Sequence, residues 1–179
     1  MLEETTVDSH LIYDGRIFGV RVDTVRLPNG RTSQREIVEH GNSVVMVPVD
    51  NQRRVLLVRQ YRKAPEKSLL EAPAGGLEKE EAPEDGVLRE LQEEIGFTAG
   101  NLQRMAGFWM APGFCTEYMH AYIATDLHPS TLAPDEDENI EVVPTPLVLI
   151  PEMIRSGDIE DAKTIAALLM AMNLYGGSL

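Results

Sequence analysis

A stretch near the N-terminus alternates between apolar and polar side chains, which is typical of a β-strand with one buried face. The alternation runs from Val20 to Leu27 and is followed by the turn signal Pro28-Asn29-Gly30. The segment Thr32 to His40 comes next and is the expected partner strand. These features predict an antiparallel β-hairpin in the first forty residues.

After the hairpin, the chain contains short aliphatic runs and two segments whose apolar residues have helical spacing. The runs are rich in Val, Ile and Leu, which favours buried strands. Strands and helices do not alternate in a strict βαβ rhythm. We therefore expect an α/β fold in the broad sense, with a mixed sheet of the α+β type and helices packed on it. The predicted strands are Ser43–Pro48, Arg54–Gln60, Leu102–Trp109, Glu117–Thr125 and Ile140–Pro144, and the predicted helices are Leu147–Arg155 and Ala162–Tyr175.

A third helix is predicted between Pro83, a favourable residue for a first turn, and Gly96, a favourable C-terminal cap. Its apolar stripe is formed by Val87, Leu88, Leu91 and Ile95. A stripe of this kind packs against a core and leaves the opposite face for polar groups.

That opposite face carries Glu90, Glu93 and Glu94, at positions i, i+3 and i+4 of a helix. Two carboxylates about 4 Å apart repel each other by ~4 kcal/mol at an effective dielectric constant near 20. The three side chains therefore either spread into water as an ordinary solvated face or hold a hard divalent cation.

Composition limits the classes of partner. The chain has 179 residues, a hydrophobic fraction of 43%, a formal net charge of −13 and one cysteine. The length suits one domain with a small extension, and the charge disfavours nucleic acids and anionic membranes. There is no apolar run long enough to cross a membrane, and the acidic N-terminal sequence does not resemble a signal peptide. A single cysteine fits a reducing compartment, so we expect a cytoplasmic protein.

The segment Gly75–Phe97 (GGLEKEEAPEDGVLRELQEEIGF) resembles the signature of the Nudix hydrolases. Phe97 departs slightly from the pattern, because it is aromatic where an aliphatic residue is usual. The resemblance implies a Nudix-type α/β/α sandwich at residues 41–179, preceded by an N-terminal antiparallel β subdomain at residues 1–40. The positions that match are Gly75, Glu81, Arg89, Glu90, Glu93, Glu94 and Gly96.

Further segments are similar to the ADP-ribose pyrophosphatases of that family. Pro112 lies sixteen residues after Gly96, as it does in those enzymes. The similarity implies hydrolysis of ADP-ribose to AMP and ribose 5-phosphate. Hydrolysis of another nucleoside diphosphate sugar and non-catalytic binding of ADP-ribose by a regulatory module remain as alternatives. The other similar segments are Glu71–Gly75, Arg35–His40, Gln60–Arg62 and Asp135–Glu141.

The resemblance also implies a metal site. Glu90, Glu93 and Glu94, with the backbone carbonyl of Ala74, are the expected ligands of Mg²⁺ (or Mn²⁺), which would acidify the attacking water. Arg89 is expected to orient the catalytic Glu93 through an ion pair. The remaining motif residues have implied structural roles: Glu81 supports the loop before the helix, Gly75 permits a tight loop, and Gly96 caps the helix.

Two glutamates and several substrate-binding residues are implied in the same way. Glu138, or alternatively Glu136, is expected to act as general base, with Glu141 as a third choice. Arg62 and Arg35 are expected to bind phosphate or substrate, although arginines of this kind can also be simple surface charges. Related enzymes form homodimers with a swapped N-terminal subdomain, so a domain-swapped homodimer is also expected. The other implied substrate-binding residues are Phe18 (at the adenine, where Ile17 is an alternative), Glu71, Pro112 and Gly113.

Overall fold

The computed structural model describes residues 2–133 and 139–175. The chain divides into two compact units, residues 1–42 with 108–119 and residues 43–107 with 120–179. The first division lies two residues from the boundary expected from the sequence. Segment 108–119, however, belongs with the N-terminal residues, which the sequence did not indicate. No helix among the described residues is long and apolar enough to cross a membrane.

The first unit contains a three-stranded antiparallel sheet of order β1-β2-β3. Its strands are β1 (Thr5–Asp14), β2 (Phe18–Arg26) and β3 (Thr32–His40). The predicted hairpin is confirmed, with Arg26 opposite Thr32 and the turn glycine Gly30 at φ +83°. Strand β1 was not predicted, because its sequence TTVDSHLIYD has no clean alternation and the strand contains two register shifts.

The second unit contains two sheets. One has the order β7-β4-β9-β8 and the other has the order β10-β5-β6. The predicted strands are confirmed, but the short β6 and β7 were missed. These two strands hold few β-branched residues, and pairing with β5 and β4 defines them. The bounds are β4 (Ser43–Pro48), β5 (Arg54–Arg62), β6 (Lys67–Glu71), β7 (Ala74–Gly76), β8 (Phe97–Trp109), β9 (Tyr118–Pro129) and β10 (Ile140–Pro146).

The helices of the second unit match the predicted segments, with two local changes of helix type. The segment expected as a single α-helix is α-helical only over α1 (Pro83–Glu90) and continues as a π-helical turn over Leu91–Ile95. Gly96 ends it at φ +73°, in the predicted left-handed cap. A short 3₁₀ turn at Leu147–Leu149 leads into α2 (Ile150–Ser156), and α3 (Ala162–Tyr175) has the predicted bounds.

The apolar stripe of α1 and its π-helical turn packs into the core of the second unit. Val87 and Leu91 are fully buried, as predicted, and Ile95 is almost so, whereas Leu88 is half-buried. The stripe belongs to a cluster that includes Met46 of β4 and Tyr122 of β9. This packing determines which face of α1 turns away from the core and so positions the glutamates described next.

Candidate active site

The acidic face of the helix is not an ordinary solvated surface. Glu90 and Glu94 are buried, with relative exposures of 8% and 6%, and Glu93 is half-buried. The π-helical turn begins directly after Glu90, and its wider i→i+5 ring changes the angular spacing of Glu93 and Glu94 from that of an α-helix. Such turns often mark functional sites in helices. Buried carboxylates need compensating partners, which the neighbouring residues supply.

Arg89 lies between the glutamates and the preceding loop. Its Nη1 donates to Glu90 Oε1 at 2.7 Å and to Glu93 Oε2 at 2.8 Å. Its Nε donates to Glu81 Oε1 at 2.9 Å, and its Nη2 donates to Glu81 Oε2 at 3.0 Å and to the carbonyl of Gly76 at 2.9 Å. One guanidinium therefore orients two of the expected metal ligands, which fits the orienting role implied for Arg89.

Glu81 lies in the loop before α1 and connects that loop to the helix. Besides its two bonds from Arg89, its Oε2 accepts the backbone N–H of Glu78 at 2.8 Å. Hydrogen bonding from Arg89 holds the pKa of the Glu81 carboxyl below its ordinary value. The position agrees with the supporting role expected for Glu81.

Strand β7 brings the backbone of Ala74 and Gly75 against the glutamates. The N–H of Ala74 donates to Glu94 Oε2 at 3.0 Å. A Cβ atom added to Gly75 would lie only 1.8 Å from Glu90 Oε1 and 2.0 Å from its carboxyl carbon. A side chain at this position therefore fits only if the carboxylate of Glu90 moves away.

A polar cavity of about 340 Å³ opens beside these groups and is lined by Gly75, Gly76, Leu77, Glu78, Arg89, Glu90 and Glu93. Among the described residues, no three acidic, histidine or cysteine side chains converge as a ready-made metal cage. Nη1 of Arg89 holds one oxygen of Glu90 and one of Glu93. The donor set still fits a hard cation, since it consists of carboxylate oxygens, two of the three carboxylates are buried, and the backbone approaches closely.

Arg62 does not project freely toward this cavity. Its Nε and Nη2 each donate at 2.8 Å to Glu71, whose side chain is 1% exposed. Lys163 of α3 donates to Glu71 Oε2 as well, and its Nζ lies 3.0 Å from Asp161 Oδ2. Burial alone would raise the pKa of Glu71, but Arg62 and Lys163 outweigh it, so the pKa is lowered. Lys163 was not predicted from the sequence, because a lone lysine in the first turn of a helix belongs to no motif.

Among the predicted substrate residues of the first unit, Phe18, Pro112 and Gly113 are exposed and Arg35 is half-buried. Phe18 packs its ring 5.8 Å from the ring of Tyr13, and the two residues line a small cavity of about 160 Å³. Arg35 donates to Glu4, with its Nε 2.9 Å from Oε2. Pro112 and Gly113 are exposed residues of segment 108–119.

The two expected general bases, Glu136 and Glu138, lie outside the described residues. The third choice, Glu141 of β10, is exposed, and its Oε2 lies 3.6 Å from Nε of Arg59.

Comparison with known families assigns the chain to a class. The NUDIX domain model matches residues 39–168, and the model called nucleoside diphosphate sugar hydrolase N-terminal domain matches residues 4–38. The chain therefore belongs to the Nudix family, and the box of glutamates on α1 and its π-helical turn is the Nudix box predicted from the sequence. Residues 4–38 match the N-terminal domain model of the nucleoside diphosphate sugar hydrolases.

Individual relatives are similar over nearly the whole chain. An ADP-ribose pyrophosphatase from Bacillus subtilis is 40% identical over 171 residues, which cover 93% of this chain and 91% of that protein. A methanol dehydrogenase activator from Bacillus methanolicus is 39% identical, covering 94% and 92%. A solved structure, described as an ADP compounds hydrolase, matches with a TM-score of 0.89 and 26% identity over 98% of this chain and 95% of that one. The fold class expected from the sequence is thereby confirmed.

Proposed function

We propose that this protein hydrolyses the diphosphate bond of ADP-ribose to give AMP and ribose 5-phosphate. The observation that carries the proposal is the arrangement of Glu90 and Glu93 around Arg89 beside the glycine strand, with Glu94 held by the N–H of Ala74. The 40% identity to an ADP-ribose pyrophosphatase over almost the full length supports the choice of substrate.

The glutamates are the proposed ligands of Mg²⁺ or Mn²⁺, together with the backbone carbonyl of Ala74. Such a cation neutralises diphosphate charge and makes water more acidic, which favours attack on phosphorus. Arg89 fixes the carboxylates of Glu90 and Glu93 before the cation binds, so little reorganisation is needed. Glu94 is kept in place by the N–H of Ala74. A general base from the segment containing Glu136 and Glu138 remains part of the proposal.

Arg62 is the proposed phosphate-binding residue of the second unit. A guanidinium has five N–H donors, and the two bonds to Glu71 use the edge formed by Nε and Nη2. The other edge, Nη1 with the second N–H of Nη2, has the fork geometry that matches two phosphate oxygens. Its side chain is 40% exposed, and in this proposal that edge receives the phosphate.

The N-terminal sheet is proposed to pair with a second copy of the chain in a domain-swapped homodimer. Every residue of β1 is exposed, including the apolar side chains of Val7, Leu11, Ile12 and Tyr13. An exposed apolar strand is unfavourable in water and is usually covered by a partner. In this proposal Phe18, Arg35, Pro112 and Gly113 contribute to substrate binding in the dimer. The single cysteine fits a cytoplasmic location.

Product analysis tests the proposed reaction. ADP-ribose and a panel of other nucleoside diphosphate sugars are incubated with Mg²⁺, with Mn²⁺ and with a chelator, and AMP and ribose 5-phosphate are quantified. Metal-dependent formation of equal amounts of both products, fastest with ADP-ribose, is expected. Faster hydrolysis of another sugar nucleotide would contradict the choice of substrate, and binding of ADP-ribose without hydrolysis of any substrate would favour a regulatory module.

A further inference from the structure

Arg62 belongs to a cluster of four charged side chains, of which the other three are largely covered. The carboxylate of Glu71 accepts hydrogen bonds from Nε and Nη2 of Arg62 and from Nζ of Lys163. Lys163 in turn lies 3.0 Å from Asp161 Oδ2. The side chains of Glu71, Lys163 and Asp161 are 1%, 12% and 16% exposed, whereas that of Arg62 is 40% exposed. Arg62 is thus the open member of an otherwise covered cluster.

We propose that Lys163 is a positioning residue for substrate binding: it neutralises the carboxylates behind Arg62 and so leaves the guanidinium charge available to the diphosphate. The inference rests on the proposed function, because it concerns the phosphate-binding role of Arg62. Lys163 is too deeply covered to be a phosphate ligand itself, and its Nζ is engaged by two carboxylates.

The charge of the cluster explains the role. Two cations and two carboxylates make it formally neutral, so an approaching diphosphate meets no net repulsion from it. Without Lys163 the remaining Arg62, Glu71 and Asp161 would carry a net negative charge behind the binding edge. Because these groups are largely covered, solvent screens that charge only weakly. A negatively charged cluster would therefore weaken binding of any anionic diphosphate.

The geometry adds an orienting effect. Glu71 Oε2 accepts both Arg62 Nη2 and Lys163 Nζ, while Oε1 accepts Arg62 Nε. Lys163 thus fixes the orientation of the Glu71 carboxylate. That carboxylate binds the Nε–Nη2 edge of the Arg62 guanidinium, so the other edge is the one offered to the phosphate in this proposal. The first turn of α3, which carries Lys163, also holds the backbone next to Glu71, because Thr164 Oγ1 accepts a hydrogen bond from the N–H of Ala72 at 2.8 Å. The hydrogen bonds to Glu71 raise the pKa of Arg62, and the charge of Glu94 raises it further. The cluster is therefore coupled electrostatically to one of the proposed metal ligands.

A charge series separates this role from structural damage. Lys163→Met makes the cluster negative, Lys163→Met with Asp161→Asn makes it neutral, and Asp161→Asn alone makes it positive. Asparagine retains an oxygen that can accept the N–H of Thr164, the bond with which Asp161 caps α3. Lys163→Arg is the conservative control, and each variant is first checked for cooperative thermal unfolding.

The measurements are KM and kcat for ADP-ribose and, by calorimetry without metal, the affinity for ADP-ribose and for uncharged adenosine. Lys163→Met is expected to raise KM and Kd for ADP-ribose about tenfold, with kcat nearly unchanged and adenosine binding unaffected. The double variant and Lys163→Arg should lie near wild type, and Asp161→Asn should bind ADP-ribose more tightly than wild type.

Tighter binding by Asp161→Asn is an outcome that structural damage does not produce, so it tests the inference even if Lys163→Met fails to fold. Equal KM and Kd across the folded variants would overturn the inference, as would a loss confined to kcat. If wild type binds ADP-ribose without hydrolysing it, the proposed function fails while the binding series still decides the role of Lys163.

Discussion

Oε1 of Glu90 lies 1.8 Å from the position that a Cβ atom on Gly75 would occupy. Gly75, which begins the Nudix box, and Glu90, the first of the three proposed metal-binding glutamates, are thus in close contact, although fifteen positions separate them in the sequence. The same carboxylate oxygen accepts a hydrogen bond from Arg89 at 2.7 Å. Any side chain at position 75 must therefore displace a proposed metal ligand.

Gly75→Ala is expected to reduce activity much more than stability. The clash is with the end of a flexible side chain, so the fold can adjust by turning Glu90 away. The displaced carboxylate should lower kcat at least tenfold and raise the Mg²⁺ concentration that gives half-maximal activity. Gly76→Ala is the matched control, because a Cβ at that position meets no atom within 4 Å. Equal activity of the two variants would contradict this account of Gly75.

Arg89→Met removes the hydrogen bonds that the guanidinium donates to Glu81, Glu90 and Glu93. Glu81, Glu90 and Glu93 would then lose their shared cation, which is expected to cost about 2–4 kcal/mol of unfolding free energy. We expect kcat to fall at least a hundredfold, because the metal ligands lose their fixed orientation. Activity assays and urea denaturation check both effects.

Arg59→Met is the control for loss of an arginine, since Arg59 is an exposed residue whose ion pair to Glu141 is 3.6 Å long. A variant at Arg89 with wild-type kcat would show that the observed hydrogen bonds have no role in catalysis.

The pKa of Glu71 links stability to acid pH. Burial raises this pKa, but bonds from Arg62 and Lys163 lower it more, so the folded value lies below the ordinary 4.5. The group therefore contributes stability above about pH 4.5 that is lost as the pH falls through the folded value. Urea denaturation from pH 7 to pH 3 should show this loss in wild type.

The variant Glu71→Gln should be less stable than wild type at pH 7 and should lose less stability on acidification, because it has no proton to bind. Glu152→Gln, at an exposed position of α2, is the control and should follow wild type. Parallel pH curves for wild type and Glu71→Gln would refute the assignment.

The exposed apolar side chains of β1 predict association. Wild type is expected to sediment as a dimer, and Ile12→Asp, which places a charge on an apolar side chain that is 65% exposed, is expected to sediment as a monomer. ADP-ribose hydrolysis should fall when dimerisation is lost, because in this proposal the N-terminal residues contribute to the partner's site. Val148→Asp is the control, because it places the same charge on an apolar side chain that is 82% exposed but lies outside β1. A monomeric wild type with full activity would contradict the swapped dimer.

The sequence predicted the local features of the fold and left out those that depend on tertiary contacts. The hairpin, β4 and α3 follow from alternation, aliphatic runs and helical spacing, and each was found at its expected place. The strands β1, β6 and β7 have weak local signals and exist because neighbouring strands pair with them. The π-helical turn after Glu90 likewise has no pattern of its own in the sequence.

The site shows the same division. The spacing of the box glutamates indicated a shared face, and the structure brings Glu90 and Glu93 to one guanidinium. The partner of Arg62 was not foreseen, since Glu71 meets it through strand pairing and Lys163 meets Glu71 from ninety-two positions away. Contacts of this kind carry no local pattern and require the folded chain.

The most direct test of the central claim is the rate of AMP release from ADP-ribose at increasing Mg²⁺ concentration, for wild type, Glu94→Gln and Asp85→Asn. Asp85 is an exposed acidic residue of the same helix and serves as the matched control. The account predicts saturable, Mg²⁺-dependent release by wild type and Asp85→Asn, and a loss of at least a hundredfold in Glu94→Gln. Full activity in Glu94→Gln, or activity that persists after chelation of all divalent metal, would contradict the proposed metal-dependent hydrolase.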